Sequence, residues 1–358
     1  MKPKLILSLL SLSMNCQFSV VGAMSSNKKS VISDLSNELV STILSNLPTK
    51  EAVAVCFLLR KGAWRNKMVD LSRLEFYFDN DQEEHSFVRF INTFLMLRGP
   101  SKLDSFSLTI HNGMQEEGVQ EEEVQEERLD SDVVNHWIHY ALDNGVESLE
   151  IRIHEILEVF ELPPRVLLQD SLVDLKLGAS IGSISIYGNH EIVLPKLKKL
   201  CLADIGFGDS AMFASLISNC PVLEELLIED MKWQTWEACV VRSKTFVIGI
   251  SGVRKLEVSE NTIEVLDLKR GSIPQFMNLT QLQIKSFETM GWGSVPELLR
   301  NCPSLEELIF HGLFHMTGDG CGDYHRDSLL PANIASESAE DLLEGKASIN
   351  VAISVESA

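Results

Sequence analysis

Three histidines and one cysteine lie close together toward the carboxyl end of the sequence. His311, His315, Cys321 and His325 have the spacing His-x3-His-x5-Cys-x3-His, with a Gly-rich stretch at residues 317–320. Imidazole nitrogens and thiolates are preferred zinc ligands, and such a stretch is flexible enough to wrap an ion. The spacing matches no established zinc motif, and His311 falls at the end of a predicted strand. We therefore predict that the chain holds no metal and no other cofactor.

Other residues that could do chemistry form no catalytic constellation either. The sequence contains neither a phosphate-binding P-loop nor the metalloprotease motif His-Glu-x-x-His. Glu224 and Glu225, like Glu306 and Glu307, form acidic pairs, but they alternate out of predicted strands and are typical of solvated positions. The sequence thus predicts a protein without catalytic activity of its own.

The charge and the cysteine usage restrict the partners and the compartment. The 358 residues include 31 Lys and Arg against 51 Asp and Glu, a net charge of −20. So acidic a chain repels phosphate backbones, and we predict no nucleic-acid partner. The seven cysteines are widely spaced, contain no Cys-x-x-Cys pair and are odd in number. This usage is typical of reduced thiols in the nucleus or cytoplasm, where we expect the protein to reside.

A short apolar pattern, Leu-x-x-Leu-x-Leu with Ile, Val or Phe as substitutes, recurs through most of the chain. From Val146 onward its copies follow at steps of 26, 25, 26, 30, 26 and 26 residues. Such a period is the signature of a repeat protein in which each unit adds one strand to a shared sheet. The eight copies are Leu103/Phe106/Leu108, Val146/Leu149/Ile151, Leu172/Leu175/Leu177, Leu197/Leu200/Leu202, Leu223/Leu226/Ile228, Val253/Leu256/Val258, Leu279/Leu282/Ile284 and Leu305/Leu308/Phe310. Two further copies fit the pattern but break the period: Leu71/Leu74/Phe76 and Ile263/Leu266/Leu268.

The segments between these strands predict helices. Helical patterns are clearest at residues 132–144, 209–218 and 295–301, and Trp137 on the first is a predicted packing anchor. Short parallel strands alternating with helices predict an α/β solenoid of leucine-rich repeats over residues 73–314, with strands on the concave side and helices on the convex side.

Two of the repeats nearly coincide. Residues 216–230 and 299–312 each pass from an apolar helical stretch through Asn-Cys-Pro into a strand. Proline ends the helix, and Cys220 and Cys302 are predicted to be small buried fillers at the turn, not metal ligands.

Residues that flank the strand leucines are predicted to line the exposed, concave face. They are mixed in chemistry and identify no particular ligand: Lys176, Cys201, Glu257, Gln283 and Ile309.

Ahead of the repeats, residues 32–72 predict a small helical module. A first helix is capped by Ser36 and ended by Pro48, and a second is capped by Thr49. Two helices this short bury little surface, so they need a further helix or a partner. Their apolar positions follow helical spacing: Leu39, Ile43, Leu44 and Leu47 on the first, Val53, Cys56, Phe57 and Leu58 on the second.

The module resembles an F-box. The string ILSNLPTKEAV at residues 43–53 is similar to the F-box of plant F-box proteins with leucine-rich repeats, and the likeness extends over residues 34–65. Residues 133–151, a Trp-Ile helix leading into a repeat strand, resemble the same family. The resemblance implies that the module binds the Skp-type adaptor of a cullin ubiquitin ligase and that the repeats bind a target protein for ubiquitylation. The adaptor-binding residues that it implies are Leu35, Glu38, Leu39, Ile43, Leu44, Leu47, Pro48, Val53, Leu58 and Trp64.

Two departures from the family pattern support a second hypothesis. Ser36 stands where the family has proline, and Gly62 and Ala63 are inserted before Trp64. Two extra residues turn a continuing helix by about 200°, which would take Trp64 away from the docking face. The alternative is therefore a repeat-protein scaffold that binds a partner without ubiquitylation.

Three segments are predicted to lie outside the folded parts. Residues 1–23 have two lysines followed by an apolar run, which is typical of a secretory signal; the competing interpretation is an upstream extension, with Met24 as the start. A true signal would make the chain a secreted repeat protein, our third hypothesis. The run is too short to span a bilayer, so we predict no membrane partner. An acidic loop at residues 113–130 and a tail at residues 315–358 are predicted to be poorly ordered.

Overall fold

The computed structural model describes Thr49, Ala52, Val53 and residues 71–79, 84–111, 129–154, 160–179, 184–186, 191–207, 210–229, 250, 252–259, 262, 275–285, 295–311 and 350–354. The chain divides into two compact units, Met1–Arg165 and Val166–Ala358. No helix among these residues is both long enough and apolar enough to cross a lipid bilayer.

The first unit is built on three parallel strands. Its described elements are β1 (Arg73–Phe78), α1 (Glu84–Arg98), β2 (Ser105–His111), α2 (Ser131–Asp143), β3 (Ser148–His154) and the two-residue strand β4 (Phe160–Glu161). Strands β1, β2 and β3 pair so that Leu74, Phe106 and Leu149 stand side by side. The off-period copy at Leu74 is therefore a strand of the sheet, and the 15-residue helix α1 lies in its longer connection to β2.

The second unit continues the same construction. Its elements are β5 (Asp174–Ala179), β6 (Ile184–Ile186), β7 (Lys199–Ala203), β8 (Ile205–Phe207), α3 (Ser210–Ser218), β9 (Glu225–Glu229), β10 (Lys255–Ser259), β11 (Gln281–Lys285), α4 (Val295–Arg300), β12 (Glu307–His311) and β13 (Asn350–Ser354). Strands β5, β7, β9, β10, β11, β12 and β13 form a parallel sheet in that order. Strands β6 and β8 pair with each other, and a 3-10 helix, Pro164–Leu168, spans the boundary between the units.

The predicted repeat is confirmed as the source of the core. All eight copies of the pattern end in a strand, and every described apolar side chain of the pattern is at most 5% exposed. Burying one such side chain contributes about 1.5–3 kcal/mol. Each strand has one apolar face and one exposed face, so it gains stability by packing its apolar side chains against those of the neighbouring repeats. For this reason apolar residues occupy every second position of the strand.

Backbone hydrogen bonds fix the register where each strand begins. The Lys198 carbonyl accepts the N–H groups of Glu224 and Glu225 at 2.8 and 2.9 Å, and the Glu224 carbonyl accepts those of Arg254 and Lys255 at 2.8 and 3.1 Å. The same double acceptance recurs at the entries to β2, β3, β7, β11 and β12. One carbonyl thus aligns each of these strands with the previous one.

The three predicted helices are α2, α3 and α4, each within two residues of the expected bounds. Helix α2 begins after Asp130, whose carboxylate accepts the Val133 N–H at 2.8 Å and caps the helix. Trp137 is fully buried on α2, as predicted. Helix α1 was not predicted, although its buried residues recur at helical spacing: Phe87, Val88, Ile91, Phe94, Leu95 and Arg98.

The Asn-Cys-Pro turns have the role that the sequence predicts. Cys220 is 2% exposed and Cys302 is 0% exposed. Their thiols donate hydrogen bonds to the carbonyls of Leu216 at 3.2 Å and Leu298 at 3.1 Å, one helical turn earlier. Both cysteines therefore fill the end of a helix where the chain turns into the next strand.

The prediction of a poorly ordered tail needs a correction for Asn350–Ser354. These residues form β13, which pairs with β12 in parallel and places Val351 beside Leu308. Strand β12 would otherwise present a row of unpaired backbone groups, and a further strand satisfies them. The rest of the predicted tail, residues 1–23 and residues 113–128 lie outside the described residues.

Candidate functional site

The exposed face of the sheet in the second unit presents one continuous row of side chains across six strands. In strand order this middle row reads Lys176, Cys201, Leu227, Glu257, Gln283 and Ile309. All six are half-buried. The structure thus brings together the five face residues predicted from the flanks of the strand leucines. Leu227 was not singled out, although it holds the corresponding position in its own repeat.

A three-residue charge cluster adjoins the middle row at Glu257. The Lys285 ammonium lies 2.8 Å from a carboxylate oxygen of Glu257 and 3.3 Å from one of Glu229. Partial burial lowers the pKa of Lys285, but the hydrogen bonds and charges of the two carboxylates outweigh it, so that the pKa is raised. Lys285 therefore remains a cation held in place between the two carboxyl groups.

Polar contacts between neighbouring strands continue around this cluster. His311 Nε2 lies 3.3 Å from Gln283 Oε1. Nearer the start of the strands, Glu225 lies 2.9 Å from the ammonium of Lys199 and 3.7 Å from that of Lys255. Exposed ion pairs of this kind contribute about 0–1 kcal/mol each. Their main effect is to hold the long side chains of the face in defined positions.

The first unit carries an aromatic row at the carboxyl ends of its strands. The imidazole rings of His111 and His154 stack with centroids 4.2 Å apart and an interplanar angle of 8°. Tyr77 continues the row, with its ring centroid 5.5 Å from that of His111. Sequence reasoning missed this row because only the parallel register of β1, β2 and β3 brings the three residues together.

The described residues offer a candidate binding surface, which is the exposed sheet face with its middle row and charge cluster. Among them, no three His, Cys, Asp or Glu side chains are placed to hold a metal ion. Of the four residues weighed above as zinc ligands, only His311 is described, so the prediction for that set stays a prediction. Charged, amide and apolar side chains alternating at fixed positions suit recognition of a protein surface.

One string typical of serine hydrolases occurs in the chain. Residues 178–182 read Gly-Ala-Ser-Ile-Gly and match Gly-x-Ser-x-Gly. In hydrolases this serine lies on a sharp turn between a strand and a helix. Here Gly178 and Ala179 end β5, and the next described element is strand β6. Among the described residues, no helix follows the string.

Of the ten predicted adaptor-binding residues, only Val53 lies among the described residues. It is helical and 2% exposed. The other nine lie outside the described residues, and the adaptor-binding role of the whole set stays a prediction: Leu35, Glu38, Leu39, Ile43, Leu44, Leu47, Pro48, Leu58 and Trp64.

Alkylation of the native protein is expected to distinguish Cys201 from Cys220 and Cys302. Burial raises the pKa of Cys220 to about 12, so at pH 8 its reactive thiolate is roughly a thousandfold rarer than in an ordinary cysteine. Cys302 is buried in the same way, whereas Cys201 is half-buried. Iodoacetamide followed by peptide mass spectrometry should modify Cys201 before Cys220 and Cys302, and unfolding in guanidinium should remove the difference. Equal native rates at the three positions would contradict the buried arrangement.

Comparison with known proteins identifies the family. Residues 134–263 match the family described as FBD-associated F-box protein At5g56370, LRR repeats. The chain is 35% identical over 394 aligned residues to the Arabidopsis thaliana F-box protein At1g56610, covering 86% of this chain and 71% of that protein. It is 29% identical over 386 residues to the Arabidopsis thaliana F-box/LRR-repeat protein At3g59210, covering 82% and 76%. This chain belongs to the plant F-box/leucine-rich-repeat family.

Proposed function

We propose that the chain is the substrate-recognition subunit of an SCF-type ubiquitin ligase. The observation that carries the proposal is the likeness to a protein named as an F-box protein, 35% identical over 71% of its length. The F-box string at residues 43–53 supports it. In this function the amino-terminal module binds the Skp-type adaptor and, through it, the cullin, while the repeat sheet binds a target protein.

The target side of this function uses the middle row and the charge cluster. Leu227 and Ile309 offer apolar contact area, and Glu229 and Glu257 with Lys285 offer charges in fixed positions. Fixed charges of this kind contribute mainly to specificity, because they favour a partner with complementary charges, and they add less to the affinity. We therefore assign target selection to this face.

The chain requires no catalytic group for this role. A receptor that binds the ligase and the target together places a target lysine near the ubiquitin-charged enzyme, which raises the effective concentration of the two reactants. We assign the protein to the nucleus or cytoplasm, and we expect neither nucleic acid nor a membrane among its partners.

Affinity purification of the tagged chain from plant cells, read by mass spectrometry, tests the proposal. The unmutated chain should recover a Skp-type adaptor, a cullin and at least one target. The Leu44→Asp plus Leu47→Asp variant should lose the adaptor and the cullin but keep the target, because two carboxylates placed on the apolar docking positions would have to be desolvated on binding. Recovery of no adaptor by the unmutated chain would overturn the proposal.

The insertion of Gly62 and Ala63 favours one second candidate, the scaffold that binds a partner without ubiquitylation. If this candidate is right, the unmutated chain and the Leu44→Asp plus Leu47→Asp variant should both recover the same target, and neither should recover the adaptor. Deleting the two inserted residues would then restore adaptor binding, because Trp64 would return to the position that the family pattern gives it.

A further inference from the structure

Three residues of the second helix of the predicted F-box module are buried within this chain. Thr49, Ala52 and Val53 are helical and are 1%, 0% and 2% exposed. Their spacing of three and four residues places them on one face of a helix. That face is therefore covered by the protein itself, and it includes one residue, Val53, that the family resemblance assigns to the adaptor.

The Thr49 side chain makes a defined contact with the first strand of the repeat sheet. Its hydroxyl oxygen accepts a hydrogen bond from the backbone N–H of Glu75 at 2.7 Å. Glu75 lies in the middle of β1. The sequence predicts Thr49 as a helix cap, whereas here Thr49 is itself helical and its hydroxyl binds the strand.

Glu75 is a position at which the sheet needs such a partner. Among the described strands, β1 is the edge of the sheet and pairs with β2 alone. In a parallel sheet, alternate residues of a strand direct their backbone groups to opposite sides. The Ser72 carbonyl accepts N–H groups from the start of β2, so the even-numbered residues of β1 face β2 and Glu75 faces the outer edge. The hydrogen bond from this outer N–H to Thr49 is partly buried, and a backbone N–H that is shielded from water without a partner is costly.

We propose that Thr49, Ala52 and Val53 form the joint that fastens the F-box module to the edge strand of the repeat sheet. Thr49 is the positioning residue of this joint, because its hydroxyl ties the helix to one particular backbone group of β1. The adaptor must then be bound by other faces of the module. Only this last statement rests on the proposed function.

A pair of variants at one position separates the hydroxyl from its surroundings. Thr49→Val keeps the shape of the side chain but removes the acceptor, and Thr49→Ser keeps the acceptor. Hydrogen–deuterium exchange with residue-level fragmentation should show the Glu75 amide exchanging roughly tenfold faster in Thr49→Val, as expected for the loss of one hydrogen bond. The amides of Leu74 and Phe76, which face β2, should keep their rates, and Thr49→Ser should restore the slow exchange of Glu75.

Two results would overturn the joint. An unchanged exchange rate of the Glu75 amide in Thr49→Val would show that the contact is not made in solution. Equal acceleration at Leu74 and Phe76 would show that the variant loosens the strand in general and breaks no specific hydrogen bond.

In a titration with purified Skp-type adaptor, Thr49→Val should bind as tightly as the unmutated chain. A tenfold or larger loss of affinity with an unchanged Glu75 rate would place Thr49 in the adaptor interface. If the unmutated chain binds no adaptor, the proposed function fails, while the exchange experiment still decides the joint.

Discussion

Trp137→Ala is expected to lower the free energy of unfolding by about 3–5 kcal/mol, because it removes a large aromatic ring from a closed core. Trp137 is 0% exposed. Its ring meets that of Phe87 edge-on at a centroid distance of 5.9 Å, and its Nε1 donates a hydrogen bond to Asn92 Oδ1 at 2.7 Å. Trp137 on α2 thus contacts two residues of α1, so the variant loosens the packing between α1 and α2.

Urea denaturation followed by far-ultraviolet circular dichroism measures this loss. Trp137→Phe is the matched control: it keeps an aromatic ring but removes the donor to Asn92, and we expect a smaller loss of about 1–2 kcal/mol. A loss below about 1 kcal/mol for Trp137→Ala would contradict the buried position of the ring.

Arg98→Met is expected to lower the free energy of unfolding by about 3 kcal/mol, because four buried or partly buried acceptors lose their donor at once. Arg98 is the last residue of α1 and is only 2% exposed. Its guanidinium donates hydrogen bonds to the carbonyls of Leu71 at 2.9 Å, Ser101 at 3.1 Å and Lys102 at 2.9 Å, and to the Tyr140 hydroxyl at 2.8 Å. It thereby ties the loop after α1 to the entry of β1 and to α2.

Two control variants separate the loss of the guanidinium hydrogen bonds from the loss of a charge and from a change in helix propensity. Arg98→Lys keeps the charge but offers a single nitrogen, so it should recover only part of the stability. Met96→Ala lies two residues away on the same helix, where Met96 is 62% exposed, and it should change stability by less than about 0.5 kcal/mol. If Arg98→Met also changed the free energy of unfolding by less than about 0.5 kcal/mol, the stabilising role of the guanidinium would be contradicted.

The repeat could be predicted because each copy carries its own signal. The first leucine of a copy closes the turn, and the next two alternate into the core, so the spacing alone locates the strands. Strand β13 lacks that signal in the sequence: Ser348 precedes Val351 by three residues, the spacing at which Leu305 precedes Leu308 in the previous copy. Strands β4, β6 and β8 contain only two or three residues, which is too short for alternation to show.

Polar residues whose roles depend on distant backbone could not be predicted. An arginine is expected at the surface unless it is paired, and the acceptors of Arg98 come from three separate parts of the chain. Thr49 follows a proline and fits a helix cap, so nothing near it in sequence indicates a contact with Glu75. The residues of the middle row other than Leu227 could be predicted, because they flank the strand leucines. That they form one continuous row depends on the register between the strands, which cannot be read from the sequence.

The proposed function depends most on the binding of a Skp-type adaptor by the amino-terminal module. Its most direct test is an isothermal titration of the purified chain with a purified plant Skp-type adaptor, beside the Leu44→Asp plus Leu47→Asp variant. We expect saturable one-to-one binding by the unmutated chain and at least about 100-fold weaker binding by the variant, since desolvating each carboxylate is costly. Absence of binding by the unmutated, folded chain would contradict the proposed function, and so would equally tight binding by the variant.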